Sequence, residues 1–194
     1  MKKLVVATKN VGKVQEIVDA LADLPFEVVS LQDYPDAPDV EETGASFAEN
    51  AILKAVAYAD FTGELTLADD SGLEVDALDG APGVFSSRYA PTVPQRNAKL
   101  LDAMKNVPDD RRAARFRCVV AIVEPGGTAR TCEDSVEGVV SREPAGTGGF
   151  GYDPIFYIPS LGKSMAELSF VEKNAISHRG KALKKARKLL TKNI

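Results

Sequence analysis

Apolar and polar positions follow two periods along the chain. Leu4-Val5-Val6-Ala7 is a short apolar run that predicts a buried strand. Val14, Ile17, Val18 and Leu21 then recur at i, i+3, i+4 and i+7, which predicts an amphipathic helix of about three turns. Phe26 to Leu31 predicts a second strand, and residues 32–45, rich in Asp, Glu and Pro, predict a loop. Ser46 with Glu49 three residues on predicts a capping box; Ala48, Ile52, Ala55, Val56 and Ala59 give the helix it opens an apolar face. Leu65 to Ala68 predicts a strand that ends in Asp69-Asp70-Ser71-Gly72. Residues 74–93 are turn-rich, and a helix is expected from about Pro94 to Asn106.

Phe116 to Val123 and Thr128 to Val140 flank Glu124-Pro125-Gly126-Gly127, which predicts a hairpin. Residues 144–155 are Gly-rich and loop-like, and Ile155 to Ile158 predicts a short strand. The last helix is the clearest, with Ala182, Leu183, Ala186, Leu189 and Leu190 inward and Lys and Arg elsewhere. Strands and helices alternate early and a hairpin follows, so a mixed α/β fold is expected.

Composition narrows the function classes. With 194 residues, 44% hydrophobic, the chain suits one domain and a substantial core rather than disorder. The longest apolar run, Cys118 to Val123, is far short of the roughly 20 residues of a membrane-spanning helix. The start of the chain reaches Lys9 before a signal core can form, so a cytoplasmic protein is expected. Two cysteines, Cys118 and Cys132, are too few for a disulfide scaffold and read as free thiols in the core. The net charge of −4 hides an asymmetry. Residues 1–110 carry 9 Lys and Arg against 20 Asp and Glu, and residues 111–194 carry 15 against 8. An acidic half and a basic half suit a metal cation together with a polyphosphate, although charge patterning also reads as solvated surface.

Five stretches carry groups suited to chemistry. Thr8-Lys9-Asn10-Val11-Gly12-Lys13 lies between the first strand and helix, where N–H groups at a helix start can hold an anion. Lys13 adds a point charge and Thr8 and Asn10 polar contacts; the P-loop spacing is absent, and an N-capping Asn10 beside a surface lysine is the plainer reading. Glu41-Glu42-Thr43-Gly44 precedes a helix on which Asn50 and Lys54, four apart, share a face. Two carboxylates there suit Mg²⁺, or compensate the helix dipole. Asp69 and Asp70 stand at the carboxyl end of an apolar strand, where α/β sheets place ligands; successive strand residues face opposite ways, so one of the pair points into a site unless the chain turns.

The fourth stretch, Gly146 to Pro154, includes Phe150, Gly151, Tyr152 and Asp153. Its glycines allow close backbone approach, Phe150 offers a stacking surface and Asp153 an acceptor for ring N–H groups. A flexible turn with a core Phe is the alternative. The fifth, Lys173 to Lys181, holds His178, the single His of the chain, beside Arg179 at the start of the last helix. Both can donate to a carbonyl oxygen, or simply sit on a basic helix surface. No nucleophilic triad stands out, and one His with two Cys does not make a usual zinc site.

Taken together and in this order, these stretches resemble the inosine/xanthosine triphosphate pyrophosphatase family. Ala-Asp-Asp-Ser-Gly-Leu, Phe-Gly-Tyr-Asp-Pro and Ser-His-Arg-Gly-Lys-Ala are the specific matches. The resemblance covers nearly the whole chain. It implies a single domain over residues 1–194: an elongated mixed β-sheet with helices on two lobes and a central substrate cleft. It also implies a homodimer, Mg²⁺ dependence, and hydrolysis of deaminated purine nucleoside triphosphates to monophosphate and pyrophosphate. By motif, Thr8, Lys9, Asn10, Val11, Gly12, Lys13 and Lys54 hold the phosphates. Asp70 is the catalytic base and a metal-site residue with Glu41, and Ser71 contacts substrate. Phe150, Gly151, Tyr152, Asp153, Lys173, His178 and Arg179 surround the nucleobase.

The chemistry of the residues agrees with that division. Attack at the α-phosphorus needs an oriented water, a base for its proton and cations for the phosphates. Adenine lacks the C6 oxygen of hypoxanthine and xanthine, and donors left unpaired in a buried site cost roughly 1–3 kcal/mol each. Arg179→Ala is therefore expected to weaken discrimination of ITP from ATP. Guanine shares the C6 oxygen, so its exclusion depends on its C2 amino group. Two rival readings remain: a nucleotide- or RNA-binding module using the basic last helix, and a pyrophosphatase of pyrimidine or methylated nucleotides.

Overall fold

A computed structural model describes residues 1–192, so the last two positions of the expected 1–194 domain lie outside the described residues. The strands are β1 (Lys2–Val6), β2 (Phe26–Ser30), β3 (Leu65–Val75), β4 (Ala113–Val123), β5 (Arg130–Val140), β6 (Phe156–Ile158) and β7 (Lys163–Ser164). The helices are α1 (Val11–Leu21), α2 (Phe47–Thr62), α3 (Val93–Ala103), α4 (Phe170–Ile176) and α5 (His178–Thr191). The strands form one mixed sheet in the order β2-β1-β3-β4-β5-β6-β7. β1 pairs in parallel with β2 and β3, while β6 pairs antiparallel with β5 and β7. Parallel neighbours need crossovers, and α1 and α2 supply them. A turn closed by the Gly127 N–H on the Glu124 carbonyl joins β4 to β5, at the expected hairpin.

Helix starts follow their caps. The Asn10 side chain accepts from the Lys13 N–H and opens α1. Ser46 accepts from the Glu49 N–H and opens α2, which ends at Gly63 with a positive φ of 71°. Thr92 and Gln95 form a capping box that starts α3 one residue before Pro94 and fixes its register; the helix stops at Ala103, short of Asn106. Ser169 and Glu172 form another, which starts α4.

The largest departure from the sequence pattern is β3. It does not end at Ala68 but runs through Asp69-Asp70-Ser71-Gly72 to Val75. The pair therefore lies on extended chain, not in a turn.

The chain divides into two compact units. The first comprises Met1–Asp70, Cys118–Asp134 and the described chain from Arg179. Its core joins Leu4, Val6, Ile17, Leu21, Leu65, Leu67, Val120, Ile122, Leu183 and Leu190. The second comprises Ser71–Arg117 and Ser135–His178, with a core of Leu73, Val75, Leu100, Met104, Phe116, Ile155, Phe156 and Met165. Cys118 and Cys132 are free; Cys118 is buried and Cys132 packs against the first core. No helix among the described residues is long and apolar enough to cross a membrane.

Candidate active site

The first unit builds its polar centre on β3. Asp69 and Asp70 leave opposite faces of the strand and meet different partners. The Asp69 side chain is fully buried. Its Oδ2 lies 3.0 Å from Lys13 Nζ and accepts from Arg179 Nε at 3.1 Å. Arg179 Nη1 donates to Glu16 Oε2 at 2.5 Å. Lys13 and Glu16 are three apart on α1, hence on one helix face. Burial by itself raises the pKa of Asp69, but Lys13, Arg179 and Lys54 outweigh it and hold the carboxyl well below the usual range. The same network raises that of Arg179: burial opposes its charge, and Asp69 and Glu16 more than restore it.

Asp70 faces α2. Its Oδ2 accepts from Asn50 Nδ2 at 3.2 Å and its Oδ1 from Lys54 Nζ at 3.2 Å. Lys54 also donates to Glu42 Oε1 at 2.5 Å. Burial raises the pKa of Asp70; Lys54 and Lys13 pull it down, Glu42 and Asp69 push it up, and the net direction is upward. A buried carboxylate whose pKa is raised accepts a proton more readily than an ordinary one, which suits a general base. Glu42 and Asp70 around Lys54 leave an excess of negative charge among the three, and they offer hard oxygen donors. Mg²⁺ typically binds through one or two carboxylates with waters and substrate phosphates, so this set fits it without a larger cluster. Glu41, the expected metal residue, is exposed, and Glu42 is the member of the pair that meets Lys54.

The stretch after β1 is arranged as a helix start. Thr8 Oγ1 accepts from the Asn10 N–H at 3.2 Å, and Asn10 caps α1. The N–H groups of Val11 and Gly12 lie in the first turn, where no intrahelical acceptor exists. Lys9 pairs with Asp39 at 2.5 Å on the surface.

The second unit holds the glycine-rich loop. Asp153 Oδ2 accepts from the Phe150 N–H at 2.9 Å and from Lys173 Nζ at 2.7 Å. The Lys173 ammonium stands 4.2 Å from the centre of the Phe150 ring. Asp153 is buried, so its carboxylate organises the loop and Lys173 rather than presenting itself on the surface. Tyr152 donates from its hydroxyl to the Ser86 carbonyl at 2.8 Å. The Ser86 hydroxyl in turn accepts from the Leu73 N–H on β3 at 2.9 Å, two residues after the half-buried Ser71. The Gly151 carbonyl accepts from Asn97 Nδ2 at 3.2 Å, and Oδ1 of Asn97 is buried without a partner among the described residues. The His178 ring stacks on Phe116 with centroids 4.8 Å apart and planes at 12°.

The sequence-derived residues thus fall into two groups, one per unit. Thr8 to Lys13, Lys54 and Asp70 belong to the first. Phe150 to Asp153, Lys173 and His178 belong to the second. Arg179 departs from its expected neighbours: its guanidinium is buried with Asp69 and Glu16, in the first unit. Glu16 and Asn97 were not singled out in the sequence. Glu16 carried one signal, its helical spacing from Lys13; Asn97 carried none.

A Ham1 family model matches residues 4–189. This chain belongs to the Ham1 family. It is 56% identical over 193 residues to the dITP/XTP pyrophosphatase of Desulforamulus reducens, covering 98% of this chain and 96% of that one. The dITP/XTP pyrophosphatase of Escherichia coli K12 is 53% identical over 189 residues, covering 95% of each chain. Among solved structures, a Ham1 protein from Coxiella burnetii superposes with a TM-score of 0.91 at 46% identity, covering 99% of this chain and 100% of that one. The Ham1 protein of Staphylococcus aureus gives 0.89 at 39%, covering both chains fully. The mixed α/β fold is thus the fold of the Ham1 family.

Proposed function

We propose that this Ham1 chain hydrolyses deaminated purine nucleoside triphosphates (ITP, dITP and XTP) to the monophosphate and pyrophosphate. The observation that carries the reading is Asp70: a buried carboxylate of raised pKa, held through both oxygens, in a chain related to named dITP/XTP pyrophosphatases. A water attacks the α-phosphorus. Asp70 takes its proton as the new phosphorus–oxygen bond forms and the α–β bridge breaks, and pyrophosphate leaves with the bridging oxygen. Lys54, Lys13 and the first-turn N–H groups of α1 balance charge on the phosphates. Glu42 and Asp70, with Glu41 in the same loop, would hold a Mg²⁺, which would supply positive charge against the triphosphate. The nucleobase is assigned to Phe150 and Lys173, an aromatic ring and an ammonium held in contact. A homodimer and a cytoplasmic location complete the proposal.

Pyrophosphate release measured with Mg²⁺ and ITP, dITP, XTP, GTP, ATP and modified pyrimidine triphosphates tests the reading. Turnover concentrated on ITP, dITP and XTP is expected. Equal turnover of ATP, a preference for pyrimidines, or binding without pyrophosphate release overturns it. Asp70→Asn is expected to abolish nearly all turnover while substrate still binds; near-normal turnover in that variant removes Asp70 as the base.

A further inference from the structure

We propose that Asn50 is a positioning residue: it locks the Asp70 carboxylate to the Glu41–Gly44 loop, so that base and loop keep one geometry. The proposal rests on the reading of Asp70 as the base. Asn50 is fully buried on α2, and both ends of its amide are used. Oδ1 accepts from the Gly44 N–H at 2.8 Å and Nδ2 donates to Asp70 Oδ2 at 3.2 Å. Lys54, one helical turn on, repeats the pattern: it donates to Asp70 Oδ1 and to Glu42. Two α2 side chains four residues apart thereby hold both oxygens of one carboxylate and two points of one loop.

The loop is shaped for this contact. A Cβ on Gly44 would stand 2.7 Å from Asn50 Oδ1 and 2.6 Å from Glu49 Cβ, so the approach requires a residue without a side chain. Glu49 adds a further anchor by accepting from the Ala45 N–H at 2.7 Å. An amide is needed at position 50 because the loop offers a donor and Asp70 an acceptor. Leucine matches the volume and neither bond, and aspartate keeps the first bond and sets a second carboxylate against Asp70.

The two bonds can be broken from opposite ends. Asn50→Leu removes both, whereas Gly44→Ala displaces Asn50 from the loop side and leaves Asp70 untouched. Steady-state kinetics of ITP hydrolysis are compared for both variants, Asp70→Asn and the unaltered chain, with folding checked by circular dichroism. Expected is a fall in kcat of about ten- to a hundredfold in both variants, the scale set by misplacing a reacting group by about 1 Å. KM is expected to stay within about threefold, since the proposed substrate contacts Lys13, Lys54, Phe150 and Lys173 are unaltered. Unchanged kcat in folded Asn50→Leu or Gly44→Ala, beside an inactive Asp70→Asn, overturns the proposal alone. A rise in KM that accounts for the whole loss also overturns it, since that is loosened binding. An active Asp70→Asn instead overturns the reading of the base.

Discussion

Adjacent carboxylates on β3 acquire different chemistry because successive strand side chains face opposite ways. Asp69 is clamped by Lys13 and Arg179 and stays ionised, whereas Asp70, more loosely compensated, is pushed toward holding a proton. Removing the charge of Asp69 takes the carboxylate partner from the half-buried Lys13 and leaves the buried Arg179 with Glu16 as its remaining carboxylate. Asp69→Asn is therefore expected to cost about 3–5 kcal/mol at neutral pH, the penalty for breaking a buried pair, read by urea denaturation. The pH dependence follows from the depressed pKa. The unfolded chain takes up the Asp69 proton at a higher pH than the folded one, so this stability is present above 3.8 and lost as pH falls through the lower folded value. The gap between the unaltered chain and Asp69→Asn should thus narrow as pH falls below 3.8; a gap that widens there contradicts the clamp. Asp70 has the opposite sign. Its folded form holds a proton more readily than an ordinary carboxyl, and the base is the ionised form. The acid limb of kcat/KM is expected above the ordinary 3.8, and a limb below that value removes Asp70 from the role.

At the scale of elements, the loop before β6 shows how one glycine supports several contacts. Gly149 has a φ of 66°, and a Cβ there would stand 2.1 Å from Asp153 Oδ2. Gly149→Ala must push Asp153 away from the Phe150 N–H and from Lys173. The expected result is a KM for ITP raised by about tenfold, the worth of roughly 1.4 kcal/mol, and an unchanged KM would mean that the loop does not hold the nucleobase. Elements with a strong local period were legible in the sequence: α1, α2, α5, β1 and the β4–β5 pair all stand where the apolar pattern put them. β3 runs on past the point where its polar pair suggests a strand end, because Asp69 is satisfied by Lys13 and Arg179 and Asp70 by Asn50 and Lys54, none of them a neighbour along the chain. α4 has seven residues, too few for a helical period, although its Ser169–Glu172 capping box was present in the sequence. The resemblance of the motifs to a known family put Lys54, Asp70 and Lys173 among the expected site residues. It gave no warning that Arg179 would be buried between Asp69 and Glu16, because ion pairing at that range leaves no local pattern.

At the scale of the whole molecule, neither compact unit is a continuous stretch of chain. The first takes its opening segment, part of the β4–β5 hairpin and α5 from three separate places. Its core depends on the last of these: Ala182, Leu183, Ala186 and Leu190 are buried beside Leu4, Val6, Ile17 and Leu67. Leu183 and Leu190 alone contribute about 1.5–3 kcal/mol each, and the whole chain is expected to be stable by only about 5–15 kcal/mol. Removal of α5 also deletes Arg179 and leaves Asp69 and Glu16 buried without that partner. A chain ending at Ser177 should therefore lose the folded first unit even though Thr8 to Asp70, the proposed phosphate-end residues, are all retained. Circular dichroism and thermal unfolding decide this: the expected outcome is loss of cooperative melting and of ITP turnover together. A truncated chain that still melts cooperatively and hydrolyses ITP would show that the first unit needs neither the apolar face of α5 nor the buried arginine.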